Sequence, residues 1–223
     1  MNTYASVSEI NNRMISVYNN MFMAVVTSMI VSLVVASSPG LMAFLFTGAM
    51  KWILIFAPLV MILAMDWIMQ QATYGQARAM LHVFATVMGL SMSTIFVVFT
   101  TAGIVSAFMG AAVLFATMSL WGYFTKRSLE SWGSFLLVGL IAVVIASVIN
   151  VFLGSSVLTM TVSACAIIVF LGLTAYDTQR IRTEVSIIET DSKAEILGAL
   201  SLYMNFINLF ISLLQLFGGR RDD

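Results

Sequence analysis

The sequence predicts an all-α, polytopic membrane protein of seven transmembrane helices, with the C-terminal helix central. The first observation is composition, because 61% of the 223 residues are hydrophobic and only 9% are charged. Soluble domains carry roughly a quarter of their residues as charged ones, which excludes an ordinary water-soluble domain. The second observation is that apolar runs of about 18 residues or more, long enough to cross a bilayer, recur along the chain. The third is a polar stripe within the last run.

This polar stripe occupies one face of the last apolar run, residues 196–217. Steps of three or four residues separate its members, so a helix places them one above another while Leu, Ile, Phe and Met cover the other faces. They are Gly198, Ser201, Asn205, Asn208, Ser212 and Gln215. An amide without partners in hydrocarbon costs several kcal/mol, so the stripe must face protein or water. We therefore expect the other helices to surround this one.

Seven spans account for the apolar runs, with connectors rich in Gly, Pro, Ser and Thr between several of them. They cover residues 17–36, 52–68, 77–99, 102–124, 132–153, 157–176 and 196–217. The whole chain is interpreted as one transmembrane domain. Its polar parts are a short N-terminal segment, residues 1–16, and a loop between the sixth and seventh helices, residues 177–195. The uncharged residues 41–50 are expected at the membrane interface or as an extension of the second helix.

The placement of lysine and arginine predicts the orientation. With the N-terminus in the cytoplasm, seven of them fall inside: Arg13, Arg78, Lys126, Arg127, Arg180, Arg182 and Lys193. Three fall outside: Lys51, Arg220 and Arg221. The connectors after the third and fifth spans carry no positive charge, and both fall outside. We expect a cytoplasmic N-terminus and an external C-terminus.

The strongest functional candidate is Asp177, at the end of the sixth predicted span. An ionisable residue in or beside a span is a functional candidate by default. The structural alternative is an ordinary ion pair with Arg180 or Arg182 at the water interface, where such pairs contribute little. Position alone leaves both interpretations open.

A geometric condition decides whether Asp177 can meet the polar stripe. Asn205 lies about 13 Å along its helix from residue 196, whereas Asp177 lies at the end of its own predicted span. Contact therefore requires the sixth helix to continue to Val185, with its arginines extending to the surface, or the last span to start near Leu200.

Three further polar residues lie in the spans. Asp66, near the end of the second span, is interpreted as an interface acid or as part of the mouth of an ion pathway. His82 could relay protons, although a lone histidine is more often a hydrogen-bonded packing residue. Asn150, near the end of the fifth span, is expected to bridge helices.

Several functional classes lack their residues in this chain. No basic block indicates nucleic acid. There is no His-Glu-x-x-His motif, no Gly-x-Ser-x-Gly elbow, and no lysine in the last span for a retinal Schiff base. One histidine and scattered serines do not supply a nucleophile with its base. We expect no enzymatic activity and no resident cofactor.

Two C-terminal motifs resemble those of the Bax inhibitor-1 family, also called TMBIM or lifeguard proteins. They read Gly172-Leu-Thr-Ala-Tyr-Asp-Thr-Gln-Arg-Ile181 and Gly198-Ala-Leu-Ser-Leu-Tyr-Met-Asn-Phe-Ile-Asn-Leu-Phe210, with a terminal Gln-Leu-Phe-Gly-Gly. Span number, span lengths and the turn Tyr123-Phe-Thr-Lys-Arg127 are also similar, so the resemblance covers nearly the whole chain. Bacterial inner-membrane members are the most similar.

The resemblance implies a seven-helix fold around a central last helix and a pH-sensitive calcium leak. In the family, aspartates in the sixth and seventh helices share a proton that gates the pore. Asp177 matches the first aspartate, but the family's Tyr-Leu-Asp-Phe-Ile-Asn here reads Tyr203-Met-Asn-Phe-Ile-Asn208, with Asn205 at the second. One titrating group then remains. We therefore expect a weak response to pH near 7 or a response at more acidic pH, and weaker calcium binding at Asp177.

Two functions stay open at this point. The first is a cation leak that passes calcium, with Asp177 near the gate and Asn205 and Asn208 along the path. The secondary site candidates are Asp66, Arg180 and Ser201. The second is a non-conducting membrane protein that binds and modulates other membrane proteins. The resemblance implies links to stress and cell-death regulation in eukaryotes and to membrane proteases in bacteria. The stripe could simply join helices, and no selectivity-filter-like sequence is present.

Overall fold

A computed structural model of the chain describes residues 5–187 and 193–221, apart from the side chains of Asp66, Trp67 and Gln70. This described part forms nine α-helices and no β-sheet. The helices are α1 (Val7–Ala36), α2 (Pro39–Phe46), α3 (Met50–Gln71), α4 (Tyr74–Met92), α5 (Ile95–Val98), α6 (Thr101–Phe124), α7 (Trp132–Leu153), α8 (Ser156–Val185) and α9 (Lys193–Phe217).

Among the described residues, six spans are long and apolar enough to cross a membrane: α1, α4 with α5, α6, α7, α8 and α9. A seventh results when α2 and α3 count as one span, although these two helices meet at an angle of 77°. Pro39 begins α2, where its missing N–H removes no helical hydrogen bond. The predicted all-α polytopic architecture is therefore confirmed. The uncharged residues 41–50 lie largely in the separate short helix α2, which belongs to the second span if the bent pair counts as one span.

The last helix, α9, lies at the centre of the bundle. In its most apolar window 72% of the residues are buried, against 39% or less in the other five spans. It packs on α1, α4, α6 and α8. Edge-to-face ring contacts join Phe206 to Phe108 and Phe115 of α6, and Tyr203 to Phe84 of α4. The central position predicted from the polar stripe is confirmed.

Helices α7 and α8 form an antiparallel hairpin. Gly154 ends α7 at φ 62°, a left-handed conformation that glycine adopts at no steric cost. Ser155 then caps α8, since its hydroxyl accepts a hydrogen bond from the Leu158 N–H. An added Cβ at Gly172 would lie 2.6 Å from Leu136 Cδ2, so this glycine sets how closely the two helices approach. Only 6% of the α7 window is buried, which leaves most of this helix facing outward.

Two segments predicted as polar, residues 1–16 and 177–195, are partly helical; residues 1–4 and 188–192 of them lie outside the described part. The N-terminal segment is predicted to precede the first span, and α1 begins within it at Val7. Ser6 and Glu9 form a capping box there, in which each side chain accepts from the other residue's N–H. The predicted loop 177–195 is wrong over its first part, because α8 continues to Val185. Ile181 and Val185 are buried, and they extend the apolar face of α8 along the core.

The two termini lie at opposite ends of the bundle. The Ala5 N–H donates to the Ser186 carbonyl at 2.8 Å, next to the end of α8. The Arg221 N–H donates to the Val98 carbonyl at 3.1 Å, next to the end of α5. We call the first of these the basic end: it comprises the start of α1, the α6–α7 connection and the end of α8. Its cations include Arg13, Lys126, Arg127 and Arg182.

Candidate functional site between helices α8 and α9

Asp177 lies inside α8, about two turns before the helix ends, and is only 8% exposed. Its Oδ2 accepts a hydrogen bond of 2.8 Å from Asn205 Nδ2 on α9. The geometric condition stated from the sequence is met by the continuation of α8 to Val185. The alternative, a last span that starts near Leu200, is not needed for this contact, and α9 is helical from Lys193 onward.

The second carboxylate oxygen of Asp177 pairs with Arg180. Their Oδ1 and Nη2 atoms lie 3.2 Å apart, and the Arg180 side chain is 50% exposed, so the guanidinium approaches from the surface. The same Nη2 lies 3.4 Å from Ser201 Oγ on α9. The ion pair considered as the structural alternative is therefore present with Arg180, but within a helix and not at its end. An amide and a guanidinium together complement the negative charge of the carboxylate.

Arg182 does not take part in this cluster. Its Nη1 donates to the Tyr123 carbonyl at 2.8 Å, and its guanidinium lies 4.6 Å from the centre of the Tyr123 ring. It therefore ties the end of α8 to the end of α6. The two arginines are two residues apart and so point to nearly opposite sides of α8, one to α9 and the other to α6.

The polar stripe of α9 faces α8 along much of its length. An added Cβ at Gly198 would lie 2.9 Å from Ile181 Cγ2, which indicates close approach of the two helices near the basic end. Near the opposite end, Ser163 Oγ donates to Gln215 Oε1 at 2.6 Å. Asp177 and Asn205 meet between these two contacts. The prediction that the stripe faces protein is confirmed at these positions.

Of the other predicted site residues, Asn208 is not bonded to Asp177, and the side chain of Asp66 is not described. The Asn208 amide donates to the Met204 carbonyl at 2.8 Å, so this bond stays within α9. The side chain of Asp66, whose backbone belongs to α3, lies outside the described residues. The cluster that the structure assembles consists of Asp177, Asn205, Arg180 and Ser201.

The two other polar residues singled out in the spans bridge helices. His82 Nδ1 lies 3.1 Å from Thr27 Oγ1, which joins α4 to α1. Asn150 Nδ2 donates to Thr159 Oγ1 at 2.6 Å, which joins α7 to α8. The prediction that Asn150 bridges helices is confirmed, and His82 is hydrogen bonded in the packing between two helices.

Sequence reasoning missed two buried hydroxyl networks. In the first, the hydroxyls of Tyr203 and Ser28 lie 2.6 Å apart and join α9 to α1. In the second, Ser119 Oγ lies 2.6 Å from the Tyr18 hydroxyl and 3.0 Å from Thr178 Oγ1, which joins α6 to α1 and α8. Ser and Thr in spans commonly bond to their own helix backbone, so their presence alone gave no signal of a network.

Calcium takes roughly 6–8 oxygen ligands and favours carboxylates. Asp177 supplies the one carboxylate of the cluster. Within the described ranges, no group of three or more His, Cys, Asp or Glu residues comes together where a metal ion could be held. The cluster therefore offers fewer carboxylates than a high-affinity calcium site uses.

The fold and the cluster together define a polytopic helical membrane protein whose central helix is tied to its neighbour by a buried carboxylate–amide pair. The model of the family described as inhibitor of apoptosis-promoting Bax1 matches residues 10–222. This chain belongs to the Bax inhibitor-1 family, as its two C-terminal motifs predicted.

Similar proteins come from several bacteria. The inner membrane protein YbhL of Escherichia coli K12 is 41% identical over 192 residues, which cover 83% of this chain and 82% of the relative. The uncharacterized protein RP147 of Rickettsia prowazekii is 39% identical over 173 residues, which cover 76% and 73%. An uncharacterized protein of Caulobacter vibrioides is 37% identical over 171 residues, which cover 75% and 68%. The likeness to YbhL and the apolar helices support a multi-pass inner-membrane protein.

Proposed function

We propose that this protein is a calcium-permeable leak pathway that the Asp177–Asn205 hydrogen bond holds closed. The observation that carries the proposal is a buried carboxylate within a spanning helix, bound through one oxygen by Asn205 and through the other by Arg180. Ionisable groups inside a membrane are costly and usually mark ion or proton pathways. The calcium leak that the family resemblance implies agrees with this proposal, and the chain belongs to that family.

In the proposed closed state, α8 and α9 stay together at the level of Asp177. A passing cation requires the two helices to separate there, so that the Asn205 amide leaves the carboxylate. Asp177 then offers a negative charge, while Asn205 and Ser201 offer neutral oxygens. A single carboxylate binds calcium weakly, which suits a leak because an ion must also leave.

With this pair, the proposed gate should respond only weakly to pH near 7, or respond at more acidic pH. Two carboxylates in contact share a proton and titrate as a coupled pair, whereas a carboxylate beside an amide has no such partner. The positive-inside rule favours an orientation with the basic end in the cytoplasm and Arg180 on the cytoplasmic side of Asp177. In this orientation the N-terminus is cytoplasmic and the C-terminus external.

Calcium flux into proteoliposomes loaded with a calcium dye tests the proposal. Asn205→Ala removes the hydrogen bond from Asn205 on α9 to Asp177 on α8. It should raise the basal flux roughly fivefold, because such a hydrogen bond stabilises the closed state by about 1 kcal/mol. Asn150→Ala is the matched control. It removes the hydrogen bond from the Asn150 amide to Thr159, between α7 and α8, and should leave the flux unchanged. Asp177→Ala should abolish or deregulate the flux. If neither the unmodified protein nor any variant exceeds empty liposomes, the protein is not a leak.

A second function has its own support, namely a non-conducting protein that binds and modulates other membrane proteins. Stripe residues such as Asn205 and Gln215 are bonded within the bundle. Among the described residues, no buried side-chain nitrogen or oxygen lacks a hydrogen-bond partner. A polar stripe of this kind can hold helices together without conducting ions. Absence of flux, with partner capture unaffected by Asp177→Ala, would favour this second function.

A further inference from the structure

A groove of about 530 Å³ runs between α1 and α6 on the outside of the bundle. Helices α8 and α9, which both pack on α1 and α6, lie behind it. Its walls are almost entirely apolar. The lining residues include Ile15, Tyr18, Phe115, Ala116, Leu120 and Phe124. We propose that this groove binds an anionic phospholipid, with an acyl chain between the helices and the headgroup at the basic end.

The groove opens toward the part of the surface that faces lipid in a bilayer. Three of its wall residues are large, apolar and strongly exposed: Ile15 at 64%, Leu120 at 59% and Phe124 at 71%. In a membrane such side chains contact hydrocarbon, since water is absent from that layer. The molecule that contacts these walls in a bilayer is therefore a lipid, through its acyl chain.

The inner wall suits an apolar occupant and not a polar ligand. The hydroxyls of Tyr18 and Ser119 lie 2.6 Å apart, and Ser119 also lies 3.0 Å from Thr178 Oγ1. These groups are satisfied by one another, so they have little need of a donor or acceptor from a ligand. Behind them α6 and α8 touch at Gly122, where an added Cβ would collide with the Ala175 backbone. The groove is thus closed toward Asp177.

The mouth of the groove at the basic end carries local positive charge. The Tyr123 hydroxyl donates to Asn11 Oδ1 at 2.6 Å and joins α6 to α1 at this end. The Arg182 guanidinium lies 4.6 Å from the centre of the same Tyr123 ring. Lys126 and Arg127 follow α6 directly and are exposed. Basic pockets between transmembrane helices bind anionic lipid headgroups, so charge complementarity selects an anionic lipid.

The acidic residue of α1 at this end does not oppose the headgroup directly. Both the backbone N–H and the hydroxyl of Ser6 donate to Glu9 Oε2, at 2.7 and 2.8 Å. Glu9 is therefore engaged in capping α1. Glu130 and Glu184 also lie at the basic end. The experiment therefore compares two lipids that differ in the charge of the headgroup.

Native mass spectrometry of the delipidated full chain tests the site with dioleoylphosphatidylglycerol and dioleoylphosphatidylcholine. We expect one phosphatidylglycerol to bind about tenfold more tightly than phosphatidylcholine. Ala116→Trp fills the groove and should abolish this tight binding. Ala142→Trp is the matched control, because it makes the same change at an exposed position of α7 outside the groove. Gel filtration and thermal unfolding identify folded variants, and Ile15→Trp replaces Ala116→Trp if the latter does not fold.

A second pair of variants separates the headgroup from the tail. Lys126→Gln with Arg127→Gln should reduce phosphatidylglycerol binding to the level of phosphatidylcholine. Arg220→Gln with Arg221→Gln removes the same charge at the opposite end and should have no effect. Equal binding of the two lipids, or tight binding that survives the tryptophan substitution in the groove, overturns the proposal. So does a change of oligomeric state in Ala116→Trp without loss of lipid, which would indicate a protein occupant.

Discussion

The Asn205 amide donates a hydrogen bond of 2.8 Å to the Asp177 carboxylate, across the two helices that pack most extensively on each other. Where the resemblance leads one to expect two mutually repelling carboxylates, this chain has a donor and an acceptor. The pair is attractive at every pH at which Asp177 is ionised. The contact therefore has a different electrostatic character from a shared-proton pair.

Asn205→Asp should make calcium flux depend steeply on pH. The substitution creates two adjacent carboxylates, which titrate as a coupled pair and change their repulsion as one proton is lost. Flux measured in proteoliposomes from about pH 6 to about pH 8 should vary more in the variant than in the unmodified protein. Asn150→Asp is the control for an added acid in another helix. An unmodified protein that responds as steeply as the variant would refute the single-carboxylate account.

Arg180→Met should raise flux and lower stability. The guanidinium is half-exposed, but it pairs with a buried carboxylate, so its loss should cost more than the roughly 0.2–1 kcal/mol of a surface ion pair. Its loss also leaves one oxygen of the buried Asp177 without a partner, which weakens the closed state. Arg180→Lys keeps the charge and should restore most of the closure. Ser201→Ala removes only the 3.4 Å contact and should leave flux unchanged, and a large effect of this variant would assign the role to the hydroxyl.

Gly122→Ala should destabilise the fold much more than Gly110→Ala, although both lie in α6. A Cβ at Gly122 collides with the backbone of Ala175, which cannot rotate away, and overpacking of this kind costs about 1–3 kcal/mol. A Cβ at Gly110 would lie 3.7 Å from Leu213 Cδ1, an ordinary contact, and alanine is the better helix former. Unfolding by sodium dodecyl sulfate in mixed micelles measures both. Equal destabilisation would mean that α6 and α8 do not approach this closely.

Ser28→Ala should cost more stability than Tyr203→Phe. Ser28 Oγ contacts the Ala85 carbonyl at 2.8 Å as well as the Tyr203 hydroxyl at 2.6 Å, so it keeps a partner when tyrosine is replaced. The fully buried Tyr203 loses its partner when serine is replaced, and an unsatisfied buried hydroxyl costs about 1–3 kcal/mol.

The double-mutant cycle of Ser28→Ala with Tyr203→Phe, measured by the same micellar unfolding, gives their coupling energy. A combined loss equal to the sum of the single losses would show that the two hydroxyls do not interact in the membrane.

The length of α8 illustrates where sequence reasoning was ambiguous. Asp177, Arg180 and Arg182 mark a polar segment, and hydropathy alone ends the span before them. The helix nevertheless continues, because Ile181 and Val185 recur at helical spacing on its buried face. The spacing was present in the sequence, but the charged residues between them concealed it. Arg180 and Arg182 reach partners at the surface of the bundle, which removes the cost of their charge.

Asn205 and Asn208 show what the sequence by itself determined and what only the tertiary structure decided. Helical periodicity is a local property, so residue spacing sufficed to place both amides on one face of a central helix. The sequence also identified Asp177 as the strongest functional candidate. The register between two helices depends on many contacts between residues that are far apart in the sequence, among them the approach of Gly198 to Ile181. These contacts together place Asn205 opposite Asp177 and leave Asn208 bonded to the backbone of its own helix. Identical side chains one turn apart thus acquire different partners, because packing and not spacing fixes which turn of α9 meets the carboxylate.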